Sequence, residues 1–264
     1  MARSWRWLSL GAAAAALSVS GTGAALAGSP AAGASGPGAL LVPQGAGASF
    51  VPALAPAAAA AATTNNEEAG YRVIDSKGIK KFHAVMMVPA ISCPSSGTYS
   101  GYLSSQVVGT TVSGGSFVHL ACTAGAATYA GFIIYTTVTK GVKDFSVAAG
   151  NTIESLIVET VVTGKTKIHT TITDKTTGVT TNKWVTYTGV AKDTTGWDVF
   201  EHLDKTSVPP FTSSHWYGAR SNRLTLAAAG AKHFNMTQTG TVLVSASPLA
   251  VTGASFTVTF HTSA

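Results

Sequence analysis

Between Ala148 and Gly178 the chain reads AAGNTIESLIVETVVTGKTKIHTTITDKTTG, two β-strand patterns framed by glycines with almost no helix signal. In the second strand Ile168, Thr170 and Ile172 alternate with Lys167, His169, Thr171 and Thr173. A period of two turns the first set to a buried face and the second to water. The stretch from Ile153 to Val162 is rich in β-branched residues, which suit a pleated surface, and Gly164 stands where the two strands must turn. A chain built on this run folds as a wide antiparallel sheet.

The same signal recurs at Lys81 to Val88, Ser116 to Cys122, Tyr129 to Val138, Asn182 to Thr188, Arg223 to Ala227, Thr241 to Val244 and Ser255 to Thr262. Short strands at this spacing, without helical stretches between them, predict an all-β sandwich or barrel. The segment Ser113 to Ser116, S-G-G-S, reads as a hairpin turn.

Ahead of the strands the chain has a different character. Arg3 and Arg6 precede an apolar stretch from Leu8 to Leu17, and Ala25, Leu26 and Ala27 form an A-x-A site. Residues 1–27 are therefore expected to be a secretory signal peptide, and the protein to be secreted, because the apolar stretch is shorter than the roughly 20 residues of a membrane span. Residues 28–68 are mostly alanine, glycine and proline, which cannot bury enough surface to offset backbone entropy. They read as a disordered linker or pro-segment, leaving one β-domain over residues 69–264.

Only two cysteines occur, Cys93 and Cys122. An oxidising compartment favours a disulfide between them, with two buried thiols or a metal pair as the alternatives. The formal charge is +6, and removing Arg3 and Arg6 with the leader leaves +4. Lys77, Lys80 and Lys81 form the single lysine cluster and no aromatic residues interleave it, so a nucleic-acid surface is not expected. A diffuse field of this sign can still favour anionic polymers.

Several segments, in order, resemble the glutamic peptidase (eqolisin) family in its secreted bacterial form. Gly70 and Tyr71, then Met86 to Pro89, then Ile91, Ser92, Cys93 and Pro94 resemble the family's opening N-W-x-G-Y, W-T-V-P and V-T-C-P segments. Ala148 to Ile153 resembles its A-G-D-T-I turn with Asn151 in place of Asp, and Ile172 to Gly178 its I-x-D-x-T-T-G segment. Pro209, Pro210 and Phe211 match a P-x-F region. Met236 and Thr237, Thr239 to Val244, Ser247 to Leu249, and Ser255 to Thr259 are similar to the family's tail. The resemblance implies a concanavalin-like β-sandwich of two antiparallel sheets, and it sets two cysteines much as Cys93 and Cys122 stand.

The resemblance also implies a catalytic pair: a glutamate that acts as general base on water and a glutamine that donates to the oxyanion. Matching the glutamine strand puts His119 at or near the glutamine's place, and a shifted alignment would recruit Gln106. In Thr195 to His202, matching the tryptophans puts Gly196 at the glutamate's place and matching the second acid through Glu201 puts Trp197 there. Neither match supplies the base, and Asp198 is the nearest acid. The family's tryptophan-rich cleft strand is replaced by Tyr129 to Tyr135. The expectation is a divergent member that lacks the pair and binds an extended peptide or polysaccharide in the old cleft. The alternative is an acid-active endopeptidase using His119 with Asp198 or Glu201.

For ligand binding the aromatic candidates are Trp184, Tyr187, Trp197, Trp216 and Tyr217, Trp197 and the cluster of His215, Trp216 and Tyr217 foremost, since such rings stack on extended polymers, the alternative being half-buried rings that only cover a core. Asp198, Glu201, His202, Asp204 and His215 form the densest polar group in the sequence, on what reads as loop, but no H-x-x-x-H or H-x-H spacing appears, so no metal and no cofactor is expected. A serine-hydrolase elbow, G-x-S-x-G, is absent from the sequence.

Overall fold

The computed structural model describes residues 63–65, 67–109, 113–135, 143–188, 193–202 and 207–263. The expected leader, most of the alanine-rich stretch, Asp204 and the end of the expected Tyr129–Val138 strand lie outside the described residues.

Every regular element among the described residues is a strand. The first half of the chain builds β1 (Thr63–Asn65), β2 (Glu68–Ile74), β3 (Lys81–Met87), β4 (Thr98–Gly109), β5 (Ser113–Thr123), β6 (Ala126–Tyr135) and β7 (Lys143–Phe145). The second half adds β8 (Thr152–Val162), β9 (Lys165–Asp174), β10 (Thr180–Thr188), β11 (Asp193–Glu201) and β12 (Ser213–Ser221), then β13 (Leu224–Thr225), β14 (Lys232–Gln238), β15 (Thr241–Ala246) and β16 (Phe256–Phe260). No helix among the described residues is long and apolar enough to cross a membrane.

The strands form one hydrogen-bonded path in the order β10-β9-β8-β3-β12-β16-β15-β14-β2-β11-β4-β5-β6-β7. All pairs along it are antiparallel, while β1 pairs with β14 in parallel and β13 pairs with β12. The path curls until its ends nearly meet, β10 lying against β6 and β7 and β5 against β9. Polar ties cross the interior, Ser116 Oγ donating to Ser155 Oγ at 2.8 Å and the Tyr135 hydroxyl meeting that of Thr170.

Alternation fixes which side of each strand faces that interior. On β9 the side chains of Ile168, Thr170 and Ile172 are buried while Lys167, His169, Thr171 and Thr173 are not, as a period of two requires. Hairpins close through two-residue turns with both residues at positive φ: Ala124-Gly125, Thr163-Gly164 and Thr239-Gly240. Cys93 and Cys122 are joined by a disulfide, which ties the segment before β4 to the end of β5.

Three local expectations change. Ser113 to Ser116 is strand, not a turn, because Gly115 lets β5 lie so close to β4 that a Cβ there would come 2.2 Å from the Ser105 carbonyl oxygen. The expected strand Arg223–Ala227 shrinks to Leu224–Thr225, since the alanines after it turn back onto Thr225 through the amides of Ala228 and Ala229. The segment around Glu201 is not loop: it is β11, held between β2 and β4 in the middle of the path.

Candidate functional site

The register of β2, β11, β4 and β5 builds the site row by row. Glu201 lies opposite Tyr102 of β4, and Tyr102 opposite His119 of β5. Two residues along, Val199, Ser104 and Phe117 form a second row. Trp197, Gln106 and Gly115 form the third, with Arg72 of β2 beside Trp197. By alternation these positions share one face of the sheet, opposite the face of Leu103, Val107, Val118, Leu120 and Phe200.

Two of them meet. The Gln106 amide nitrogen donates toward the Glu201 carboxylate at 3.3 and 3.5 Å, and toward Ser104 Oγ at 3.3 Å. Gln106 and Glu201 stand four positions apart along neighbouring strands, about 13 Å on a flat sheet. The two side chains therefore lean toward each other over Ser104 and Val199, across a face that bends inward.

Glu201 is only 3% exposed. Burial raises its pKa to about 7, because taking a carboxylate out of water penalises the charged form. Ser104 and Gln106 pull it back in part, and the charge of Glu67 pushes it up further. The result is a carboxyl that changes charge near neutrality beside a neutral amide. Such a pair can take a proton from water and donate a hydrogen bond to a developing oxyanion.

The surrounding groups are held in place by packing. The Arg72 guanidinium lies 5.0 Å from the centre of the Trp197 ring and 4.5 Å from that of Phe234. The His119 ring stacks on Tyr102 at 4.6 Å, and its Nε2 lies 2.9 Å from Ser100 Oγ. Thus His119 shares the face of Glu201 but stands two strands away, with Tyr102 between.

Asp198 does not join them. Three residues before Glu201 on the same strand, it points into the core, where it is fully buried. Desolvation raises its pKa well above the usual carboxylate range, with Ser105 offsetting part of the rise. Asp198 is a core group rather than a partner for His119.

The aromatic candidates also divide. Trp197 lines the face of Gln106. Trp216 is a core residue, 1% exposed and stacked on Phe256 at 5.5 Å, because the β12 alternation that exposes His215 and Tyr217 turns it inward. His215 and Tyr217 border a separate cavity of about 330 Å³, lined also by Pro248 and Thr257, on a part of the sheet remote in register from β4 and β11. Among the described residues no three histidine, cysteine or carboxylate side chains converge as metal ligands.

Sequence reasoning weighed Gln106 only through a shifted alignment. The available signal was the polar alternation Tyr102, Ser104, Gln106 against Leu103 and Val107, which marks one open face of β4.

The comparisons with known proteins bear on this arrangement. No curated protein sequence matches the chain. The fold is similar to that of scytalido-glutamic peptidase, solved with a transition-state-analogue inhibitor, at a TM-score of 0.57 and 16% identity over 74% of this chain and 98% of that one. It is similar also to SCP-B, a member of the eqolisin family of peptidases in a complex with the tripeptide Ala-Ile-His, at a TM-score of 0.58 and 14% identity over the same shares. The family model of the Peptidase A4 family matches residues 66–260, most of the chain and all the strands that carry Gln106, His119 and Glu201. The chain therefore belongs to the Peptidase A4 family, the glutamic peptidases or eqolisins.

Proposed function

We propose that this protein is a secreted glutamic endopeptidase in which Glu201 is the general base and the Gln106 amide holds the oxyanion. The contact between the Gln106 amide nitrogen and the Glu201 carboxylate carries the reading. A substrate peptide lies along the bent face, over Tyr102, Trp197 and His119, on one side of a two-sheet sandwich of the concanavalin type. That SCP-B was solved with a tripeptide supports a peptide as the ligand class.

The chemistry balances with these two groups. Ionised Glu201 takes a proton from a water molecule as its oxygen bonds to the scissile carbonyl carbon. The carbonyl oxygen becomes an oxyanion, and Gln106 donates an N–H to it. Glu201 then passes its proton to the amide nitrogen, the C–N bond breaks, and the carboxyl product leaves. His119, at the end of the Glu201 row, faces the same cleft and binds substrate there.

Because Glu201 must be ionised to accept the proton, a pKa of about 7 puts the rising limb of kcat/KM near neutrality rather than in acid. The test is cleavage of a denatured protein by the full chain and its variants. Glu201→Gln should lower kcat about 100- to 10,000-fold, the range of general-base catalysis. Gln106→Ala should lower it about 100- to 1,000-fold, as loss of an oxyanion donor does. Tight peptide binding without cleavage by the wild type would instead favour a binding-only role for the same face.

A further inference from the structure

A second built surface lies away from the Gln106–Glu201 face. The hairpins at Ala124-Gly125, Thr163-Gly164 and Thr239-Gly240 all put glycine at the second turn position, where φ is positive. The turn between β12 and β13 has the same backbone but reads Asn222-Arg223, with Arg223 at φ +79. A long side chain in the left-handed region costs energy that glycine would not, so the surrounding structure must hold it there. Asn222 does so: its side-chain oxygen accepts from the Lys80 and Lys81 amides at 2.7 and 3.1 Å, and its nitrogen donates to Asp75 and the Gly78 carbonyl.

The strained turn aims Arg223 at a cavity of about 330 Å³ that it lines with Lys81, His83, Gly218 and Arg220. The lining holds no carboxylate, and Glu154, which meets the lining residue His83 at 2.9 Å, is engaged also by Lys175 at 3.2 Å. One lysine and two arginines thus converge on one hollow. Such a site suits an oxyanion, which an arginine fork binds by paired hydrogen bonds.

The register extends this surface across the sheet. Lys81 of β3 lies opposite Val158 of β8, Val158 opposite His169 of β9, and His169 opposite Trp184 of β10, all pointing outward. The His169 and Trp184 rings stack at 3.8 Å and 7°, and Trp184 is 59% exposed. Three strand spacings separate Lys81 from Trp184, about 14 Å. A rigid, exposed indole at that distance from a cationic hollow fits a ligand that is extended, carries negative charge and offers apolar faces for stacking.

We propose that the outer face of β12, β3, β8, β9 and β10 binds an acidic glycan, whose anionic group enters the Lys81–Arg220–Arg223 hollow while a sugar ring further along stacks on Trp184. The site is separate from the peptidase face and does not depend on it.

Affinity of the full chain for polygalacturonate tests this, with neutral dextran and inorganic phosphate as the other probes. Arg223→Gly relaxes the turn, so it should fold at least as well as the wild type yet weaken polygalacturonate binding about 10-fold, the loss of one charged hydrogen-bonding partner. Trp184→Ala should weaken polygalacturonate while leaving phosphate binding unchanged. Equal affinity for dextran, no binding of polygalacturonate, or Trp184→Ala and Arg223→Gly variants that bind it like the wild type would each overturn the proposal.

Discussion

Glu201 shows how much a single side chain's chemistry depends on its neighbours. Its carboxyl is pushed up to about 7 by burial, and the remaining influences have opposite signs: Glu67 raises it, while Ser104 and Gln106 lower it. Glu67→Gln should therefore move the rising limb of kcat/KM to lower pH, and Ser104→Ala should move it to higher pH, both read from initial rates between pH 5 and 9. A limb that stays in place in both variants would mean that another group titrates. Asp198→Asn, by contrast, should leave that limb where it is, since Asp198 faces the core. These roles were only partly legible beforehand. Alternation predicts that Asp198 and Glu201, an odd number apart, cannot share a face, yet Asp198 is the nearest acid to the glutamate's place under either match. Gln106 was hidden because its contact with Glu201 spans four register positions, which depends on the bend of the sheet and not on spacing in the sequence.

At the level of strands and turns, the 148–178 run announced itself because hydrophobic alternation, β-branched residues and Gly164 all agree, and β8 and β9 formed as they predict. Agreement failed where tertiary packing overrode a local cue. Gly114 and Gly115 look like turn residues, but they belong to β5 because glycine lets that strand approach β6 at Gly114 and β4 at Gly115 so closely. Gly115→Ala would drive a Cβ into the Ser105 carbonyl and the Gln106 backbone. It should cost about 1–3 kcal/mol, as overpacking does, and impair cleavage with it, since Gln106 is the register partner of Gly115. Thermal unfolding and peptidase rates together check this. The alanines after Thr225 are the opposite case: with β pairing exhausted, they turn.

For the whole molecule the buried carboxyls set a pH dependence of stability. Asp193 is raised to about 7 by burial and by the neighbouring carboxyl of Glu159, and Glu201 and Asp198 are raised as well. In the window between the ordinary carboxylate values and about 7 the folded chain binds more protons than the unfolded one, so stability falls as pH rises through it. Glu154 has the opposite sign: His83 holds its pKa down, and its contribution is lost only in stronger acid. The Tm should thus be higher at pH 4.5 than at pH 7.5, and Asp193→Asn should flatten that slope. Reducing the Cys93–Cys122 disulfide should lower stability at either pH by about 3.6 kcal/mol in the chain-entropy model.

In the proposed mechanism activity and stability run in opposite directions with pH, because the ionisation of Glu201 that catalysis requires is what its burial penalises in the folded chain. The most direct measurement is the initial rate at which the full chain cleaves one denatured protein, followed from pH 4 to 8 for the wild type and Glu201→Gln side by side. Cleavage that rises toward neutral pH in the wild type and falls at least about 100-fold in the variant is the predicted result; cleavage by Glu201→Gln at the wild-type rate, or a wild type that cleaves nothing at any pH, would contradict it.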